Sequence, residues 1–211
     1  RNRLKFTVKT LGWERFREEV EKAYVEFKAD GGARLSFDPD AVRSDEAPDW
    51  TRPQPPTIED VEAMTSTPVH GPGILPGTAK LAPLPDAYVR WLSSNVSAQR
   101  QAGYFHVTAR LPLGDFTAGQ MRVLSDLADA YSDGTVRLTP EQNVVFRWVR
   151  NESVEAMYHR LDAAGLGHPD ARRLSDVVSC PGAESCRLAV TQSRGLGRLL
   201  TEHLSARPEL V

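Results

Sequence analysis

The sequence predicts an α+β fold, and three observations carry that expectation. From Tyr104 onward the residues alternate strand-like and helix-like patterns in the order βαβα, the strands are short, and the connections carry turn residues such as Pro112, Gly114, Asp133-Gly134 and Pro140. A parallel βαβ unit alone equally suits the start of a doubly wound sheet; the short strands and the turn chemistry favour α+β. Helical segments flank this pattern on both sides.

The first element is a helix over Gly12 to Lys28, "GWERFREEVEKAYVEFK", in which Trp13, Phe16, Val20, Tyr24 and Phe27 form one stripe opposite charged residues. From Asp30 to Pro85 most of the 15 prolines gather, in runs such as "RPQPP" and "VHGPGILPG". That stretch reads as a linker or a segment wrapping over another surface, with one short helix around Thr57 to Met64.

"YFHVTARL" alternates, with Phe105, Val107, Ala109 and Leu111 on one face and Tyr104, His106, Thr108 and Arg110 on the other. "FTAGQMRVLSDLADAY" reads as a helix opened by a Thr117/Gln120 capping box, with Met121, Leu124, Leu127 and Tyr131 as its stripe and Asp133-Gly134 as its stop. "TVRLTPEQNVVFRWV" is strand-like at both ends and broken at Pro140, which cannot donate to a ladder. A second helix runs from a cap at Asn151 to a stop at Gly165, and a last one after Cys186 carries Leu188, Leu196, Leu199, Leu200 and Leu204.

Composition narrows the function classes. With 26 Lys plus Arg against 28 Asp plus Glu, the formal charge of −2 makes no case for a nucleic-acid or anionic-membrane partner. No run approaches the roughly 20 apolar residues that span a bilayer, and no signal-peptide pattern opens the chain. Two cysteines are too few for a secreted disulfide scaffold. A cytoplasmic protein is expected. The chain opens at Arg1 rather than Met and in mid-pattern, so it reads as a piece of something longer.

Four features carry candidate chemistry. Cys180 and Cys186 flank five residues, with Pro181-Gly182 turning the chain after the first. They suit two inert thiols, half of a metal or iron–sulfur site, or a disulfide; a cluster needs four thiolates and tolerates varied spacing. Arg137, Thr139, Gln142 and Asn143 sit on the broken strand, either as solvated polar residues of a kink or as contacts to an anion or a cofactor carboxylate. Arg110 has the same two readings at the end of its strand. Arg1, Arg3 and Lys5 alternate, and on an extended chain they would point one way, as a solvated face does. The five histidines show no metal-ligand spacing, and no nucleophile motif, phosphate loop or dinucleotide fingerprint is present.

Taken in order, these pieces resemble the siroheme-dependent nitrite and sulfite reductases. In that family "RLT…Q" lies in a ferredoxin-like half domain and the first two cluster cysteines follow as Cys-x5-Cys; here they are "VRLTPEQN" and "CPGAESC". The opening "RNRLKFTVKTLGWERFREEVEK" is similar to the end of the family's first siroheme-proximal domain. The resemblance covers residues 1–28 and about 88–205. It implies a ferredoxin-like half domain (βαβα) at 86–170, a proline- and glycine-rich linker at 31–85, and incomplete siroheme and 4Fe-4S domains at 1–30 and 171–211.

The resemblance also implies chemistry. Cys180 and Cys186 would be the first two ligands of a [4Fe-4S] cluster next to a siroheme. Arg137, Thr139 and Gln142 would line the siroheme side, joined by Arg110 and Asn143 as cofactor contacts, and Asn2, Arg3 and Lys5 would fall near siroheme carboxylates. The reaction would be six-electron reduction of nitrite to ammonia or of sulfite to sulfide, with electrons from ferredoxin or a reductase subunit. By the resemblance, the family's second pair, Cys-x3-Cys, would fall beyond Val211, so cluster and siroheme are expected in the full-length protein and not in this piece, which should be inactive alone. No catalytic residue is assigned. Two other readings predict different things: a non-catalytic binding or assembly module with the same half domain, and a small metal or redox protein built on the cysteine pair.

Overall fold

A computed structural model describes residues 4–33, 51–66 and 86–207 together with Leu210. The chain forms two compact units, Arg1–Arg43 and Ser44–Val211.

In the first unit, helix α1 (Leu4–Leu11) meets helix α2 (Trp13–Ala29) at Gly12, whose φ of 80° suits a residue without Cβ. The predicted helix is thus present, but Lys5 stands on a helix and not on an extended chain. The stripe of Trp13, Val20, Tyr24 and Phe27 is exposed, and neither helix buries a residue.

The second unit is built on a four-stranded antiparallel sheet in the order β1-β2-β4-β3. Its elements are α3 (Ile58–Thr65), α4 (Ala87–Asn95), β1 (Val96–Ala98), β2 (Tyr104–Ala109), α5 (Ala118–Tyr131), β3 (Val136–Leu138), β4 (Val144–Arg150), α6 (Val154–Ala163) and α7 (Ser193–Ser205). Strand β4 pairs antiparallel with both β2 and β3, so β2 and β3 run parallel with β4 between them. That split β-α-β arrangement is the ferredoxin-like one and confirms α+β over a doubly wound sheet. The broken strand is the β3–β4 hairpin, with Pro140 in its turn.

One face of the sheet, carrying Val107, Ala109, Val144 and Phe146, packs with Val123, Leu127, Met157 and Leu161 of the helices into one core. Helix α5 opens on the predicted capping box, with Thr117 Oγ1 accepting from Gln120 N and Gln120 Oε1 accepting from Thr117 N. Its buried side runs through Val123, Leu124, Leu127 and Tyr131, while Met121 faces solvent. Tyr88 and Trp91 of α4 pack on Tyr158 of α6, each pair with ring centroids 4.9 Å apart.

Of the proline-rich stretch, residues 51–66 wrap over this unit. Thr57 caps α3 through a capping box with Asp60, and Val61 is fully buried. Helix α3 packs on α5 and α6, and its Met64 carbonyl occupies the place a Cβ on Gly119 would take. Arg52 donates to Tyr131 O at 3.1 Å and Trp148 O at 3.2 Å, and Arg160 Nε donates to Pro56 O at 2.6 Å. No helix among the described residues is long and apolar enough to cross a membrane.

Candidate functional site

The turn joining β3 to β4 is closed by Thr139 N donating to Asn143 O at 2.9 Å and Gln142 N donating to Thr139 O at 3.0 Å. Closing it puts Gln142 at φ 64°, a left-handed conformation uncommon for a side chain of that size. The Gln142 side chain then lies over Gly114, where an added Cβ would stand 2.9 Å from Gln142 Cβ. Its amide meets one residue of a distant loop: Nε2 donates to Ser179 O at 3.1 Å, and Oε1 accepts from Ser179 N at 3.4 Å. The neighbouring Asn143 is buried, accepting from Leu111 N at 2.8 Å and donating to Asp176 Oδ2 at 2.7 Å.

Arg110 extends the same network. Its side chain is 1% exposed and Asp176 is 4% exposed, with Nε and Oδ1 3.3 Å apart. Its other nitrogens donate to Pro169 O at 3.0 Å and to Ser175 O. Burial draws the Arg110 guanidinium below its ordinary value, against the opposing carboxylates of Asp176 and Asp170. Asp170 itself is paired with Arg90 at 2.8 Å. Asn95 donates to Thr108 O at 2.8 Å and His168 O at 3.0 Å, tying the same segment to β2. Next to Arg110, His168 is pushed down to about 4, chiefly by burial and then by the guanidinium charge. The segment 168–179 therefore covers the end of the sheet face that the helices leave open.

That segment leads into the cysteines. Both are free thiols; Cys180 is exposed and Cys186 half-buried. Gly182, at φ 60°, turns the chain tightly enough that a Cβ there would collide with Ser193 Oγ, and Cys186 N donates back to Gly182 O at 2.9 Å. Ser193, the first residue of α7, has its Oγ within hydrogen-bond distance of both Cys180 O, at 3.0 Å, and Cys180 Sγ, at 3.3 Å, so its one proton is shared between them. The Ser193 hydroxyl, followed by the Gly182 N–H, holds the Cys180 thiol below its ordinary value. This favours the thiolate, the form that ligates metals. Among the described residues, no group of three or more His, Cys, Asp or Glu could hold a metal ion.

Arg137 belongs to another part of the open sheet face. It stands level with Val145 and, one strand further, Thr108. It shares Asp133 with Arg147, at 3.6 Å and 2.9 Å respectively. His106 is lowered by burial first, and then by the charges of Arg147, Arg172 and Arg137.

The structure thus brings Arg110, Gln142 and Asn143, with Thr139 in their turn, to the segment preceding Cys180. It sets Arg137 on the cationic sheet face and Lys5 in the first unit. Asn2 and Arg3 lie outside the described residues. The sequence reading missed Asp176, Ser193, Gly114 and the His106–Arg147 face. "SCPG" signals a turn, but nothing local marks a serine 13 residues on as the partner of Cys180.

Residues 97–164 match the nitrite/sulfite reductase ferredoxin-like half domain. The chain is 33% identical over 109 residues to a chloroplastic ferredoxin–nitrite reductase of Oryza sativa subsp. japonica, covering 52% of this chain and 18% of that protein. It is 29% identical over 115 residues to a ferredoxin–nitrite reductase of Synechococcus elongatus, covering 54% of this chain and 22% of the relative. With a ferredoxin sulfite reductase of Mycolicibacterium paratuberculosis it shares 27% identity over 81 residues, or 38% of this chain and 15% of that one. These matches support the nitrite/sulfite reductase family, the one the motifs resemble. The matched part spans less than a quarter of each of these relatives.

Proposed function

We propose that this chain is part of a siroheme and [4Fe-4S] reductase that carries out six-electron reduction of nitrite to ammonia or of sulfite to sulfide. The observation that carries the reading is the Cys180–Cys186 loop, held by the "RLTPEQN" turn of a domain matching the nitrite/sulfite reductase half domain. Two free thiols, one of them biased toward thiolate, suit half of the four-thiolate set that a cubane takes. Cys180 and Cys186 would hold the cluster on one side; the remaining two ligands must come from outside the described residues.

When bound, the cluster and haem supply electron transfer to the anion. This chain's own residues position and charge the surroundings. Arg137, Arg147 and His106 offer cations and hydrogen-bond donors on an open sheet face, which is what a polycarboxylate macrocycle or an anionic substrate requires. The family pattern adds Asn2, Arg3 and Lys5 as donors to siroheme carboxylates. Ferredoxin would be the electron donor, as the names of the relatives suggest, and a reductase subunit is the alternative that the resemblance leaves open.

Anaerobic purification of the full-length protein tests this reading. A brown protein with siroheme-type absorption and non-haem iron supports it. Full-length protein without iron contradicts it and leaves the binding-module reading in its place.

A further inference from the structure

The side chain of Gln142 answers a single residue, and it does so with both ends of its amide. Ser179 presents its N–H and its C=O to the same side, as a residue in an antiparallel bridge does. Gln142 supplies the complementary acceptor and donor at 3.4 and 3.1 Å. A primary amide carries its donor and its acceptor on two adjacent atoms in one plane, as this pairing needs; a carboxylate lacks the donor.

Three further facts converge on Ser179. The left-handed backbone at Gln142 would be relaxed by glycine, yet glycine has no amide to offer. Gly114 leaves room beneath the Gln142 side chain that any other residue would fill. The Ser179 side chain lies against Gly197 of α7, where an added Cβ would stand 3.1 Å from Ser179 Cβ. Ser179 is therefore held through its backbone by Gln142 and through its side chain by α7, one residue before the exposed Cys180, which Ser193 Oγ contacts from the other direction along the chain.

We infer that Gln142 is a positioning residue for Cys180: it acts through the Ser179 backbone to place the thiol as a ligand, and it does not contact the cofactor. The inference rests on the proposed function for what Cys180 ligates, but not for the grip itself. It also separates Gln142 from Arg137, its neighbour in the same motif, which stands on the open sheet face.

The test uses full-length protein carrying Gln142→Ala or Gln142→Glu, with Val61→Ala as a core control remote from the loop. Amide hydrogen exchange at Ser179 and Cys180 is read whatever the iron content. Electron paramagnetic resonance of the reduced cluster is read where iron is bound. The expected result for Gln142→Ala is exchange at both amides faster by about fivefold or more, the loss of roughly one net hydrogen bond. A changed cluster spectrum at undiminished iron should accompany it. Gln142→Glu, which keeps the acceptor for Ser179 N–H, should fall between Ala and the wild type, and Val61→Ala should leave the spectrum unchanged. Exchange at Ser179 and Cys180 that is unchanged in Gln142→Ala, or a spectrum superimposable on wild type, would overturn the inference. Absence of iron from the wild type would overturn the proposed function, and the exchange result would still decide the grip.

Discussion

Arg110 and Asp176 form an ion pair between residues 66 positions apart, with side chains 1% and 4% exposed. The pair closes the C-terminal end of β2 under the segment that leads to Cys180. Asp176 is also bound by Asn143 Nδ2 at 2.7 Å and by Arg172 N at 2.8 Å, so it is the hub of the network.

Breaking that pair should be costly. Arg110→Met keeps the apolar stem but leaves Asp176 buried without its cation, a change that typically costs about 3–5 kcal/mol. Urea denaturation should show that loss, and Arg110→Lys should recover little because one ammonium cannot reach Asp176 and two carbonyls in the guanidinium geometry. A loss below about 1 kcal/mol, the range of an exposed pair, would contradict the assignment.

Acid should weaken the fold through His168. Its folded value, about 4, lies below the unfolded 6.5, so the unfolded chain binds the proton more readily. The stabilising contribution is full above pH 6.5 and is lost progressively as pH falls toward 4, by about 3 kcal/mol in all. Its Nε2 is buried with no hydrogen-bond partner among the described residues, so none of them offers an acceptor for the added proton. Urea midpoints from pH 7.5 to 4.5 should fall steeply in the wild type and less in His168→Gln. Parallel pH profiles for the two proteins would refute this.

The wrapped segment makes a separate prediction. A methyl group at Gly119 would meet the Met64 backbone carbonyl, which cannot rotate away. Gly119→Ala should displace α3 and destabilise by roughly 1–3 kcal/mol, as overpacking does, despite the better helix propensity of Ala. Limited proteolysis should cut residues 51–66 faster in the variant. Unchanged cleavage and stability would show that α3 does not sit against α5.

Much of the half domain was legible because its signals are local. The Thr117/Gln120 capping box, the alternation of β2 and the break at Pro140 each lie within a few residues, and each appears where expected. Helix α4 and strand β1 were missed: the strand has three residues and follows the helix without a turn to separate them. Met121 sat on the predicted stripe but is exposed, since the helix rotates to bury Val123 instead. Arg110 and Gln142 were read as two-way candidates, solvated or cofactor-facing. Their partners lie 66 and 37 residues away, a distance at which no spacing rule operates. The carriers of the cysteine loop could thus be located in the sequence, but not their task.

The most direct measurement is iron and acid-labile sulfide per chain in the full-length protein, wild type against Cys180→Ser and Cys186→Ser. The account predicts about four non-haem irons per wild-type chain and loss of the cluster in each variant, since a cubane takes four thiolates. Wild-type protein free of iron and sulfide, or either variant retaining a full cluster, would contradict it.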